Sequence, residues 1–75
     1  MKAYILISVR TGGISEALSH LRRLEGVLEA HMTFGPYDIV AVVQTTDLQR
    51  LGRMMAQEIQ PIPGVEETLT CLAVD

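Results

Sequence analysis

Apolar residues run almost unbroken over residues 3–9 (Ala-Tyr-Ile-Leu-Ile-Ser-Val) and stop at Thr11-Gly12-Gly13. A run of that length, rich in β-branched and large apolar side chains and closed by a turn signal, predicts a strand. From Ile14 the period lengthens. Ile14, Ala17, Leu18, Leu21 and Leu24 fall on one helical face, whereas Glu16, Ser19, Arg22 and Arg23 fall elsewhere, which predicts an amphipathic helix ending near Gly26. Residues 27–34 alternate, with Leu28, Ala30, Met32 and Phe34 on one side and Val27, Glu29, His31 and Thr33 on the other, as in a half-buried strand. Gly35-Pro36 marks a turn, and Tyr37-Asp38 opens a third strand over residues 39–43.

Asp47 is a good N-cap for a second helix, with Leu48, Leu51, Met55 and Ile59 as its apolar stripe; Pro61 and Pro63 prevent its continuation. A last strand is expected over about residues 66–74, with Glu67, Leu69, Cys71 and Ala73 on one face and Thr68, Thr70, Leu72 and Val74 on the other. The order is βαββαβ. The two halves echo each other, since Gly26-Val27-Leu28-Glu29 leads into the second strand as Gly64-Val65-Glu66-Glu67 leads into the fourth. Two such halves with right-handed crossovers give an α+β, ferredoxin-like sandwich with an antiparallel sheet of order 4-1-3-2. Strands one and three are then central and apolar on both faces (Tyr4, Ile5, Leu6, Ile7; Ile39, Val40, Val42, Val43), while the edge strands alternate.

Both helices must lie on one side of that sheet, so its other face is left open. Five or six apolar side chains at about 100 Å² each amount to roughly 500 Å², the most that a soluble monomer ordinarily exposes. At about 25 cal/mol per Å², covering that area contributes on the order of 12 kcal/mol per chain as an upper bound before association costs. A second copy packed sheet to sheet, in the manner of a dimeric α/β barrel, is the expected cover.

The chain has 75 residues, 48% of them hydrophobic and 20% charged, which suits one compact domain and excludes a disordered or linker segment. The formal net charge is −3, and Lys2, Arg10, Arg22, Arg23, Arg50 and Arg53 are scattered, so direct nucleic-acid binding is not expected. The first apolar run ends at Arg10, too short to span a bilayer. The single Cys71 cannot form an intrachain disulfide, and with no secretory leader pattern at the start a cytoplasmic location is expected.

Chemistry-bearing residues are few. His20, His31 and Cys71 are the soft metal ligands, and no two stand at a ligand spacing on one element, so neither a metal nor another cofactor is expected. His20 is expected on a solvent-facing helix surface, His31 on the polar side of an edge strand, and Cys71 as a small buried hydrophobe. Gly12-Gly13 lacks the glycine spacing and lysine of a phosphate cradle and reads as a helix entry. Arg22-Arg23 read as a solvated face and Met54-Met55 as core and rim, and no catalytic constellation is visible.

Gly35-Pro36-Tyr37-Asp38 before Ile-Val-Ala-Val-Val, followed after a helix by Ile62-Pro63-Gly64-Val65-Glu66-Glu67-Thr68-Leu69-Thr70, resembles the effector-binding domain of the Lrp/AsnC transcriptional regulators, the "regulation of amino-acid metabolism" (RAM) domain. The resemblance covers essentially the whole chain. Family members usually carry an N-terminal helix-turn-helix domain, and this chain, starting at its first strand, looks like a stand-alone form. The resemblance implies homodimers joined through their sheets, octamer-like rings of dimers, and a small amino-acid effector held where dimers meet. Gly35, Tyr37 and Asp38 would line that site, together with Thr68 and Thr70. Asp38 can pair with an α-ammonium group, free N–H groups near Gly35 can hold a carboxylate, and Tyr37 can wall a side-chain pocket. Pro36 departs from the polar residue common at its place and removes one N–H donor.

Read without the resemblance, the hairpin is a tight turn whose aspartate satisfies local N–H groups, and Thr68 and Thr70 are ordinary strand residues. Three functions fit: an effector module, alone or co-assembled with a full-length Lrp/AsnC regulator; a small dimeric α/β-barrel enzyme of the cofactor-free monooxygenase or isomerase type; and a ligand-free oligomerisation partner.

Overall fold

The computed structural model describes residues 1–75. Its elements are β1 (Lys2–Val9), α1 (Ile14–Arg23), β2 (Val27–Met32), β3 (Ile39–Gln44), α2 (Leu48–Met54) continued by a π-helical turn (Met55–Ile59), and β4 (Val65–Leu72). The four strands form one antiparallel sheet of order β2-β3-β1-β4, the ferredoxin-like order expected from the two βαβ halves.

The core lies between the sheet and the helices. Ala3, Ile5, Ile7 and Val9 of β1 and Ile39, Ala41 and Val43 of β3 point into it, opposite Ala17, Leu18 and Leu21 of α1 and Leu51, Met54, Met55 and Ile59 beyond. Ile14, Leu24 and Val27 pack on its margin. Asp47 caps α2 as its position suggested, its Oδ1 accepting from Arg50 N at 2.8 Å. The apolar stripe of α2 differs at one place. Leu48, in the first turn, is exposed, and Met54 takes its share of the core beside Leu51. Past Met54 the helix widens, with Gln60 N donating to Met55 O across five residues, and this turn carries Ile59 into the interior.

The two halves repeat in backbone detail. Gly26 and Gly64 have φ of +95° and +93°, a conformation that suits a residue without Cβ. The Gly26 carbonyl accepts from Gln44 N and the Gly64 carbonyl from Arg10 N, both at 2.8 Å, so each glycine ties the start of an edge strand to the end of the central strand beside it. Each edge pairing is also irregular just there: between Val27 and Glu29 of β2 where it pairs with β3, and between Ser8 and Val9 of β1 where it pairs with β4.

The irregularity in β2 changes the alternation read from the sequence. The pairing passes from Val27–Val43 to Glu29–Val42, skipping Leu28, so Val27 packs on the core while Leu28 is exposed. Ala30 resumes the inward set. β2 also ends at Met32, earlier than expected, because Thr33 N turns to the Asp38 carbonyl (2.9 Å) and closes the hairpin; Phe34 beyond it is fully exposed.

The face away from the helices is open. Register aligns Cys71, Tyr4 and Val42 in one row and Leu69, Leu6, Val40 and His31 in the next. Tyr4 is 40% exposed and Leu69 48%, but Val42 only 9%, because neighbouring side chains shield one another. The uncovered apolar area is therefore smaller than a count of whole side chains suggests. Cys71 belongs to this face and is exposed, contrary to its expected burial, since no layer covers Tyr4 and its neighbours.

Candidate functional site

The β2–β3 connection, residues 33–38, is held at both ends. Thr33 donates its N–H to the Asp38 carbonyl and its hydroxyl to the Tyr37 carbonyl, each at 2.9 Å. Asp38 is fixed three ways: its N–H donates to the Ile7 carbonyl (2.9 Å), its carbonyl accepts from Thr33, and its Oδ2 accepts from Val9 N at 2.7 Å. That last bond satisfies the N–H at the end of β1 on its β3 side, beyond the last pair of that ladder, Ile7–Ile39. Oδ1 has no partner within the chain, and because no buried side-chain oxygen lacks one, it meets solvent.

Between the two anchors the backbone is free. The N–H groups of Phe34, Gly35 and Tyr37 make no hydrogen bond within the chain, and Pro36 has none to offer. Nothing lies within 4 Å of the place a Cβ on Gly35 would take. Tyr37 is half-buried. Beside the hairpin lies a depression of about 310 Å³ lined by Ile14, Met32, Thr33, Phe34 and Asp38. A carboxylate oxygen, unpaired backbone donors and an apolar wall thus occur together at one end of the sheet.

Thr68 and Thr70 do not join this group within one chain. They pair with Ile7 and Ile5 of β1, whereas the hairpin adjoins β3 on the other side. Two strand spacings of about 4.8 Å separate the Asp38 and Thr68 backbones by roughly 10 Å. The Thr68 hydroxyl accepts from Gln60 Nε2 at 3.4 Å, next to a depression of about 280 Å³ that also takes in Val65, Glu66 and Glu67. Thr70 is exposed on the helix side of the edge strand.

Ile14, Met32 and Phe34, which line this depression, read in the sequence only as helix face and strand. The available signal was Gly35-Pro36 directly after Phe34: a turn starting there leaves Phe34 no strand neighbour to pack on.

The other reactive side chains are separate. His31 Nε2 lies 2.9 Å from Glu29 Oε1 on the open face of β2. His20 is half-buried, not solvent-facing as expected, because the end of the π-turn and the segment after it pack beside α1; it shares a depression with Leu24, Gln57, Glu58, Pro61 and Ile62. No three His, Cys, Asp or Glu side chains meet as a metal-binding group. No helix is long and apolar enough to cross a membrane. Arg22 is spent on structure, its Nε and Nη2 donating to the Ala30 carbonyl at 3.0 and 2.8 Å.

The domain is ferredoxin-like, with one bare sheet face and a fixed carboxylate beside free backbone donors in its β2–β3 hairpin. Residues 2–75 match the model of the Lrp/AsnC ligand binding domain, and the chain belongs to the Lrp/AsnC family. It is similar to the HTH-type transcriptional regulator FL11 of Pyrococcus abyssi, with 36% identity over 74 residues that cover 99% of this chain and 48% of the regulator. It thus spans about half the length of the curated relatives it matches. Among solved structures, it is similar to TTHA0845 of Thermus thermophilus (TM-score 0.94, 34% identity, 99% of this chain and 92% of that one). It also superposes on AsnC of E. coli (TM-score 0.94, 27% identity, 99% and 50% of the two chains). These relationships make it a regulatory effector-binding module of the kind carried by transcriptional regulators.

Proposed function

We propose that this chain is a non-enzymatic amino-acid sensor: a homodimer joined through the open sheet faces, with dimers meeting at the 33–38 hairpin to enclose a small amino acid. The observation that carries this reading is Asp38. One carboxylate oxygen is consumed in holding Val9, which fixes the side chain, and the other is left facing solvent beside the unpaired N–H groups of Phe34, Gly35 and Tyr37. A fixed anion next to free donors is complementary to an ammonium group and a carboxylate on one small molecule. Gly35 allows close approach, and Tyr37 closes one side.

Thr68 and Thr70, too far from the hairpin within one chain, complete the site from a neighbouring chain in a ring of dimers. The same surfaces serve co-assembly with a full-length Lrp/AsnC regulator, which would supply DNA binding. The net charge is −3, and the six basic residues are divided among β1 (Lys2), its end (Arg10), α1 (Arg22, Arg23) and α2 (Arg50, Arg53), not gathered on one element as a phosphate-binding stripe would be. The unpaired Cys71 suits a reducing, cytoplasmic setting.

Calorimetric titration with the twenty amino acids tests the reading. Heat with one or a few, lost in Asp38→Asn at unchanged fold, is the expected result. Silence across the panel refutes it.

A further inference from the structure

Arg50 is the one half-buried residue among the six basic ones, and its guanidinium has no partner within the chain. Lys2, Arg10, Arg22, Arg23 and Arg53 are exposed; Arg22 and Arg23 donate to Ala30 and Ser19, and Lys2 lies over the Tyr4 ring. Arg50, by contrast, donates only its backbone N–H, to Asp47, and the single ion pair of the chain, His31 with Glu29, lies on β2. A guanidinium drawn partly out of water without a counter-charge is costly, and its planar fork matches a carboxylate.

This side chain borders a depression of about 360 Å³ at the end of the sheet away from the 33–38 hairpin. Three segments wall it: Glu25 and Gly26 of the α1–β2 turn, Gln44 and Thr46 at the end of β3 and just beyond, and Arg50 of α2. The walls are fixed. Gln44 N donates to the Gly26 carbonyl at 2.8 Å, and buried Thr45 donates its N–H to the Met1 carbonyl and its hydroxyl to the Asp47 carbonyl. Met54, 1% exposed, closes the floor against Gly26.

Glu25 shares the depression yet forms no ion pair with Arg50, so the two charges stand beyond ion-pair distance. A molecule seated between them needs an anionic end for Arg50 and a hydrogen-bond donor for Glu25. A dianion such as phosphate meets the charge of Glu25, and a simple cation meets that of Arg50. The volume lies at the small end of ligand sites and suits a compound of few atoms.

We infer that this depression binds a small carboxylic acid with a hydroxyl or amino group near its carboxylate. The carboxylate lies across the Arg50 fork, and the hydroxyl or ammonium donates to Glu25. The site is separate from the hairpin, and neither reading depends on the other.

Amide NMR of the isotope-labelled protein tests this with acetate, glycolate, glycine and inorganic phosphate as probes, on wild type, Arg50→Gln and Glu25→Gln. Neither side chain makes a hydrogen bond within the chain, so both variants keep the fold, with circular dichroism as the check. Glycolate or glycine should shift the amides of Glu25, Gly26 and Thr46 saturably and bind about fivefold tighter than acetate, the tighter of the two showing whether hydroxyl or ammonium is preferred. Arg50→Gln should weaken that binding about tenfold or more, and Glu25→Gln should reduce it to the level of acetate. Shifts confined to the 33–38 hairpin, acetate or phosphate binding as tightly as the other two, or an affinity that Arg50→Gln leaves unchanged would each overturn the inference.

Discussion

The Asp38 carboxylate and the Val9 amide meet at 2.7 Å across 29 residues of sequence, joining the β2–β3 hairpin to the end of the central strand. Val9 is buried at 6% exposure, and its N–H points to the β3 side beyond Ile7–Ile39, the last pair of that ladder, so no ladder carbonyl takes that donor. One side chain therefore stabilises the sheet and presents an anion to solvent.

These two roles separate by substitution. Asp38→Ala leaves the Val9 N–H without its partner, and a hydrogen bond to a charged acceptor contributes about 1.5–3 kcal/mol, so urea unfolding should show a loss of that order. Asp38→Asn keeps an oxygen for Val9 and should lose under about 1 kcal/mol, yet it removes the charge and with it amino-acid binding. Equal stability of the alanine variant and wild type would show that the bond does not form in solution.

The two faces of the sheet predict opposite behaviour of two residues on neighbouring central and edge strands. Ile5 is fully buried against the helices, whereas Leu69, on the other side of the sheet, is 48% exposed. Ile5→Ala should destabilise the fold by about 2–5 kcal/mol, a large share of what a domain this small can hold. Leu69→Asp should leave circular dichroism intact but shift sedimentation at micromolar concentration from dimer to monomer, because it puts a charge into the apolar row of Leu6 and Val40. A wild-type chain that sediments as a folded monomer would remove the basis for assembly through this face.

How far the sequence foretold this structure depends on which residues carry their own period. β1 and β3 were legible because Ile5, Ile7, Ile39 and Val43 sit in runs apolar on both faces, and only a central strand tolerates that. α1 was legible from Ala17, Leu18 and Leu21. Leu28 was misplaced because a single skipped pairing inverts the alternation, and no residue type announces it. Leu48 was misplaced in the core stripe because a helix's apolar face is wider than its core contact, while Met54 lies in the core as its reading with Met55 as core and rim allowed. Cys71 was expected inside on average tendencies, which cannot tell a covered face from a bare one. The hairpin was visible as Gly35-Pro36-Tyr37-Asp38, but the hollow beside it depends on Ile14 coming next to Met32 and Phe34, a juxtaposition made only by folding.

The cap on α2 supplies a smaller and cleaner test. Asp47 Oδ1 accepts from Arg50 N at 2.8 Å in an exposed setting. Asp47→Ala should cost about 0.5–2 kcal/mol and Asp47→Ser much less, since serine also caps. Thermal unfolding of the two variants measures the difference, and equal losses would mean that the contribution comes from charge instead of from the hydrogen bond.

Gly26 and Gly64 occupy matching places in the two halves, so the same substitution at each isolates the effect of surroundings. An alanine at φ near +95° costs about 1–2 kcal/mol from the backbone alone. At Gly64 the added methyl meets Arg10 and Val9 side chains at 3.4–3.5 Å, ordinary contact, so Gly64→Ala should lose little more than that. At Gly26 it would fall 2.7 Å from Met54 Cε and 3.2 Å from the Gln44 carbonyl oxygen. Met54 is 1% exposed and packed in the core, so its methyl can move only by disturbing neighbours, and such overpacking adds about 1–3 kcal/mol. Gly26→Ala should therefore be the more damaging of the two by that margin in urea unfolding. Most of the excess should disappear when Gly26→Ala is made in a Met54→Ala background, because shortening Met54 removes the nearer clash and leaves only the Gln44 carbonyl. If the excess persists undiminished in the double variant, the constraint at Gly26 lies in the backbone joining β2 to β3, and the packing of Met54 has no part in it.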